Sequence, residues 1–158
     1  MSNAVGEAMG QLNIRISYEH SEIDFEVVYS FLSTAYWCAG IRREVLERAI
    51  AGSLVVGAFV TNEAGNEEQV GFIRIISDGA TFAYMCDVFV LEPYRGQGVS
   101  RRMLAAADAH PEITSTRRWM LATLDAHKVY EKTGFTPLAS PVRWMERISD
   151  RALWHTPE

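Results

Sequence analysis

The sequence predicts an α/β protein of the α+β type, with a mixed and mostly antiparallel central sheet of six to seven strands flanked by about four helices. The first observation is that three strand-like runs, at 53–61, 69–76 and 81–91, follow one another with turn residues between them. The second is that two helical patterns precede these runs. The third is that helices alternate with strands after them, which allows a late strand to pair in parallel with an earlier one.

The first part of the chain supplies one strand and two helices. Residues 12–18 alternate apolar and polar side chains, as a half-buried strand does. Apolar residues at spacings of three and four predict a helix over 24–38, which Gly40 ends, and a second helix over 42–50. The helices of the chain are expected to lie on the faces of the sheet.

The second part of the chain alternates helices with short strands. A helix is predicted over 99–110, followed by a buried strand over 119–122. A further helix over 125–133 comes next. Two short strands, around Thr136 and over 142–148, would then close the sheet.

Length and composition favour a single globular domain. The chain has 158 residues, of which 48% are hydrophobic and 22% charged. We expect a flexible N-terminus or tag at 1–10, one domain over 11–149 and a tail at 150–158. No apolar run approaches the roughly 20 residues of a membrane helix, and the N-terminus lacks the features of a secretory signal. A cytoplasmic location with no membrane association is therefore expected.

Charge and cysteine content exclude two further classes of site. The formal net charge of −5 disfavours nucleic-acid binding through a basic face. The two cysteines, Cys38 and Cys86, are not spaced as metal ligands, so no metal site is predicted. They are interpreted as buried thiols in a reducing compartment.

The most informative stretch is the turn between the third strand run and the next helix, which reads VLEPYRGQGVS from Val90 to Ser100. Gly96 and Gly98 allow main-chain conformations that other residues resist. The start of a helix leaves N–H groups without partners and carries partial positive charge, so such a turn suits a pyrophosphate. Three basic residues lie in or beside it: Arg95, Arg101 and Arg102.

The pattern of this turn distinguishes between kinds of phosphate ligand. No Walker A string occurs, and the dinucleotide fingerprint fails because its third glycine would fall on Arg101. The pattern [QR]-x-x-G-x-[GA] does fit, with Arg95 first, Gly98 fourth and Ser100 in place of the final Gly or Ala. A second motif, LATLDAHKVYEKTGF, spans 121–135.

These two motifs, in their strand–turn–helix contexts, resemble the coenzyme A loop and the following strand and helix of the GNAT superfamily of N-acetyltransferases. The resemblance covers about residues 12–148. It implies an enzyme that moves an acetyl group from acetyl-coenzyme A, as co-substrate, to a primary amine of a small molecule or peptide. A second interpretation is a non-catalytic sensor or scaffold that binds acyl-coenzyme A. Since family members are often dimers, a homodimer is one expected assembly.

The resemblance also implies which residues hold the coenzyme. The main chain at Phe89 and Val90 would contact the pantetheine arm, and the N–H groups of 97–100 would contact the pyrophosphate. Thr123 stands where the family often has an Asn. The implied coenzyme residues are Phe89, Val90, Arg95, Gly96, Gln97, Gly98, Val99, Ser100, Thr123 and Ala126.

Two residues are candidates for the proton transfers. Tyr130 stands at the family's general-acid position, and a phenol with a pKa of about 10 can protonate a leaving thiolate at neutral pH. A core tyrosine is the alternative interpretation of Tyr130. Asp87 is the best-placed acid for the incoming amine, although some family members carry Glu one position earlier, where this chain has Cys86. Asp87 is therefore either the base or a residue that orients substrate or structure.

The acceptor site is expected between the first two helices and the central strands. Its candidates are Tyr36, Trp37, Arg74 and Tyr84. Core packing is the alternative explanation for the aromatic pair, since adjacent large rings are usually buried.

Overall fold

A single sheet with helices on both faces organises the computed structural model, which describes residues 12–150 and 153–155. The predicted fold class is confirmed. The segment expected to be flexible, 1–10, lies outside the described residues, as do 151–152 and 156–158 of the expected tail.

The sheet contains five strands in sequential order, and its centre is the predicted meander. Strands β1 to β4 pair in antiparallel fashion, and β5 joins the sheet in parallel beside β4. The strands are β1 Ile14–Ser17, β2 Leu54–Thr61, β3 Glu67–Ser77, β4 Ala83–Val90 and β5 Trp119–Met120.

The two strands predicted near Thr136 and over 142–148 do not form, so the described residues hold five strands rather than six to seven. Pro137 and Pro141 interrupt this segment, and each lacks the N–H that a strand ladder requires. Its apolar side chains also bury little surface, with Val142 91% and Met145 97% exposed. Apolar and polar residues do alternate over 142–148, but neither set of side chains packs on the core.

Helices on opposite faces of the sheet enclose two apolar clusters. On one face, Met103 of α3 packs with Ile73, and on the other, Leu32 of α1 and Leu46 of α2 pack with Phe72. Phe72 and Ile73 are consecutive in β3 and point to opposite faces, as the period of a strand requires. The helices are α1 Phe25–Leu32, α2 Arg43–Ala51, α3 Val99–Asp108 and α4 His127–Glu131.

None of the helices in the described part of the chain is long and apolar enough to cross a bilayer.

Helix α1 is shorter than the predicted helix over 24–38, because the chain leaves the helix at Leu32. Asp24 caps the helix start by accepting hydrogen bonds from the amides of Glu26 and Val27. Beyond Leu32 the chain turns back on itself, and the N–H of Gly40, with φ of 75°, donates to the carbonyl of Ser33 at 2.8 Å. Residues 33–41 are therefore a loop held over the end of the sheet.

We predict that Met103→Ala lowers the free energy of unfolding by about 2–5 kcal/mol, because the side chain is fully buried between α3 and β3 and its removal leaves a cavity. Urea unfolding followed by circular dichroism measures this change. The neighbouring Arg102 is exposed on the same helix, so Arg102→Ala should change the free energy by no more than about 0.5 kcal/mol. Equal unfolding midpoints for the two variants would contradict the packing of α3 on the sheet.

Candidate functional site

An irregularity in β4 places an acidic side chain on the face of the sheet covered by α1 and α2. Phe72 pairs with Phe89 and Arg74 with Cys86, so two residues of β4 face one residue of β3 between these positions. This is a β-bulge, and Asp87 within it has a left-handed main chain with φ of 52°. The bulge resets the alternation of the strand, which lets the Asp87 carboxylate reach partners on the α1 and α2 face.

The Asp87 carboxylate accepts hydrogen bonds on both oxygens. The Nε of Arg74 donates to Oδ2 at 2.6 Å, and the Nε1 of Trp37 donates to Oδ1 at 3.1 Å. The side chains of Arg74 and Asp87 are only 15% and 7% exposed. Burial opposes the charge of Arg74, yet the charge and hydrogen bond of Asp87 still hold the guanidinium pKa above its usual value. This arrangement favours an orienting role for Asp87 over proton abstraction.

Ser53 is not among the residues predicted for the site, but it links Arg74 to the end of α2. Its hydroxyl accepts a hydrogen bond from Nη1 of Arg74 at 3.2 Å and donates one to the carbonyl of Ala49 at 2.6 Å. A lone serine at the start of a strand carries no sequence signal for such a role. The Asp87 bulge does leave a weak signal, because aspartate is depleted within strands.

Both cysteines lie near this ion pair, and both are held as thiols. Burial raises the pKa of Cys86 to about 12, and burial together with the charge of Asp87 raises the pKa of Cys38 to about 12. The Cys38 thiol donates to the carbonyl of Leu32 at 3.1 Å. Since the thiolate is the nucleophilic form, neither cysteine is suited to forming an acyl intermediate at neutral pH.

The glycine turn between β4 and α3 presents main-chain amides to solvent. Gly96 and Gly98 have φ of 73° and 86°, and α3 begins at the next residue, Val99. Within the described residues, the amides from Gly96 through Arg101 donate to no protein acceptor. The space around Gly96 is open, since a Cβ there would meet no atom within 4 Å. An anion placed here would meet several converging N–H groups and the positive end of α3.

Side chains around the turn hold its main chain through hydrogen bonds and leave the space beside Gly96 open. The Nε of Arg95 donates to the carbonyl of Val90 at 3.0 Å, and the Nε2 of Gln97 donates to the carbonyl of Pro93 at 2.9 Å. The guanidinium of Arg101 comes within 3.6 Å of where a Cβ on Gly98 would lie. Arg101 is therefore the basic side chain that the structure places closest to Gly98.

Strands β4 and β5 separate near the start of β4, and the unpaired edge of β4 then runs toward this turn. They pair only through Ala83 with Trp119 and Tyr84 with Met120, and beyond these positions β4 has no neighbouring strand on that side in the described residues. The side chain of Phe89 is buried and stacks on Phe31 at 4.0 Å between ring centres. Only the main chain of Phe89 is therefore left to border the opening, and its contact with a coenzyme stays a prediction.

Tyr130 and Thr123 line one cavity of about 280 Å³ beside β5. The hydroxyl of Thr123 accepts the Ala126 N–H at 3.0 Å, just ahead of α4. Burial raises the pKa of Tyr130, with smaller contributions from Tyr36 and Asp125, so its phenol stays protonated at neutral pH. A larger cavity of about 670 Å³, at the free edge of β5, contains none of the predicted site residues.

The loop 33–41 carries the aromatic pair predicted for the acceptor. Tyr36 is 61% exposed and Trp37 41% exposed, so the alternative interpretation as core packing is wrong for both rings. Their ring centres lie 4.9 Å apart. Tyr84, on the same face of β4 as Cys86, is half-buried and has its pKa raised by burial. Trp37 and Arg74 contact Asp87, while Tyr36 lies toward Tyr130.

No group of three or more His, Cys, Asp or Glu side chains that could hold a metal ion occurs among the residues that the structure describes.

Comparison with known proteins identifies the family. The acetyltransferase (GNAT) domain family matches residues 56–137. A crystal structure of a protein from Xanthomonas campestris pv. campestris assigned to the GNAT family superposes with a TM-score of 0.81 at 40% identity, covering 89% of this chain and 96% of that one. A GNAT family protein of Streptococcus pneumoniae gives a TM-score of 0.61 at 25% identity, over 87% of this chain and 97% of the other. A Gibberella zeae protein, whose name assigns it to the acetyltransferases, is 27% identical over 74% of this chain and 75% of its own length. The chain therefore belongs to the GNAT family of acetyltransferases.

Proposed function

We propose that the protein transfers an acetyl group from acetyl-coenzyme A to a primary amine by direct attack of the amine on the thioester. The amine nitrogen forms a bond to the carbonyl carbon, the carbon–sulfur bond breaks, the amine loses a proton and the coenzyme thiolate gains one. The observation that carries the proposal is the glycine turn, where the space beside Gly96 is open and the amides from Gly96 through Arg101 donate to no protein acceptor among the described residues. The turn follows the end of β4 that has no strand beside it on the β5 side.

The residues predicted for the coenzyme fit this proposal in different ways. The amides of the turn that donate to no protein acceptor among the described residues, with Arg101 beside them, suit the diphosphate of the coenzyme. The unpaired edge of β4 leaves main-chain groups near Phe89 for the amide-containing arm of the coenzyme. Arg95 contributes by holding the turn in place through Val90. Positioning the thioester beside the amine supplies a large part of the rate in such a transfer.

Tyr130 is proposed as the general acid. Its hydroxyl makes no hydrogen bond to the protein within the described residues, and its raised pKa keeps the proton available. The departing thiolate takes that proton, and the resulting phenolate is reprotonated from solvent.

The amine proton is proposed to leave through water rather than directly to Asp87. An alkyl amine with a pKa of about 10.4 requires roughly 4 to 5 kcal/mol to become neutral at pH 7, so some acceptor for the proton is needed. The two oxygens of Asp87 are occupied by Arg74 and Trp37. Asp87 therefore orients the acceptor side of the site. The half-buried cysteines Cys38 and Cys86, whose raised pKa values keep them as thiols, support direct transfer without an acyl-enzyme.

Acetyl-coenzyme A should raise the melting temperature of the protein in a saturable manner, and Gly96→Ala should weaken its binding about tenfold because strain at positive φ disturbs the amides that hold the charged ligand. Gly65→Ala is the matched control, since Gly65 also has a positive φ, of 82°, and open space around it, but lies in the β2–β3 turn. Both variants should lose about 1–2 kcal/mol of stability. Calorimetric affinities that are equal for both variants would rule out the turn as the coenzyme site.

Tyr130→Phe should lower kcat about a hundredfold while leaving the affinity for acetyl-coenzyme A unchanged, because it removes only the proton donor. Thiol release with a panel of amines measures the rate. Tyr18→Phe is the control: it removes a hydroxyl that donates to the carbonyl of Ala106 on the α3 face, and turnover should stay normal. Normal turnover by Tyr130→Phe would contradict the acid assignment. Coenzyme binding by the unaltered protein without thiol release from any amine would favour the sensor interpretation.

Asp87→Asn should destabilise the fold by about 3 kcal/mol, because it leaves the buried Arg74 charge without its counter-ion. The pH dependence of kcat/KM should keep its shape in this variant, since Asp87 is not proposed to exchange the proton. Loss of the acidic limb of that profile would instead identify Asp87 as the base.

A further inference from the structure

The loop 33–41 holds two aromatic rings in fixed and exposed positions. The indole of Trp37 is held by its hydrogen bond to Asp87 at 3.1 Å. The hydroxyl of Tyr36 accepts the Leu124 N–H at 3.3 Å, which fastens the loop to the chain just beyond β5. Large rings at 61% and 41% exposure forgo burial that the hydrophobic effect would favour. Their exposed faces are therefore available to a ligand. We call this surface the mouth of the opening between β4 and β5.

Two charged groups near this loop matter for a ligand, Arg74 and Asp125. The guanidinium of Arg74 is occupied by Asp87 and Ser53. Asp125, directly after Leu124, is exposed and takes part in no ion pair or hydrogen bond among the described residues. The contact between the Tyr36 hydroxyl and the Leu124 N–H places Asp125, the next residue, close to the hydroxyl end of the Tyr36 ring. Tyr36 and Asp125 both raise the pKa of Tyr130 beyond the effect of burial, which is consistent with this proximity.

We infer that the acceptor is an amine carrying a second positive charge, with that second ammonium bound over the ring of Tyr36 and beside the carboxylate of Asp125. This inference rests on the proposed acetyl transfer to an amine and names the class of acceptor. Aromatic faces attract ammonium groups electrostatically, and an adjacent carboxylate strengthens that attraction. None of the ion pairs among the described residues involves this carboxylate, so it is available to a cationic ligand.

The experiment compares an unbranched alkyl diamine with the amino alcohol of the same chain length, whose far end is neutral. The diamine should have a kcat/KM about tenfold higher, since it alone offers the second charge. Tyr36→Leu and Asp125→Asn should each reduce this preference about fivefold, mainly through the KM of the diamine. Tyr36→Phe keeps the ring but loses the hydrogen bond to Leu124, and should retain more of the preference than Tyr36→Leu.

Glu63→Gln is the charge control, since it removes an exposed carboxylate in the β2–β3 turn. That turn lies beyond Thr61, about 20 Å along β2 from Val55, which pairs with Arg74. It should leave the kinetics of both amines unchanged. Calorimetry of each amine on the protein loaded with coenzyme A separates the proposed class of acceptor from the proposed acetyl transfer, because it measures binding without reaction. Equal affinities for diamine and amino alcohol, or a preference unaffected by Asp125→Asn, would overturn the acceptor class. A binding preference for the diamine without any thiol release would support the acceptor class and overturn the proposed transfer alone.

Discussion

The buried ion pair between Arg74 and Asp87 determines the geometry of one whole side of the site. Removing each charge from water costs several kcal/mol, so neither side chain is stable there without the other. The pair connects β3 to the bulge of β4, reaches the end of α2 through Ser53 and holds the loop 33–41 through Trp37. The position of the exposed aromatic rings therefore depends on the hydrogen bonds that the buried carboxylate of Asp87 accepts.

The conformation of the glycine turn could be predicted from the sequence because its determinants are local. Gly96, Gly98 and the start of α3 lie within a few residues, and their conformations follow from the residues themselves. The Asp87 network could not be predicted in the same way, because its partners lie 13 and 50 residues away along the chain. A strand pattern shows which residues alternate, but not where an extra residue resets the alternation.

The fold class also followed from local patterns, and the errors occurred where tertiary contacts decide. The alternation over 142–148 is typical of a strand, but a strand requires a neighbour with free main-chain groups, and the periodicity does not identify one. The helix over 24–38 was predicted too long because Gly40 acts through its contact with Ser33 rather than as a simple terminator. Tyr36 and Trp37 have residue types that are usually buried, yet hydrogen bonds hold them outside the core.

The short pairing of β5 with β4 has a consequence for how the two halves of the molecule are joined. Two residue pairs connect β5 to the sheet, whereas β2 and β3 are paired along eight positions. An extended ligand with amide groups of its own would occupy the gap as a further strand does, bonded to main chain on either side. Such a ligand would extend the sheet across the gap. The local stability of α4 and its neighbours would then depend on whether the ligand is bound.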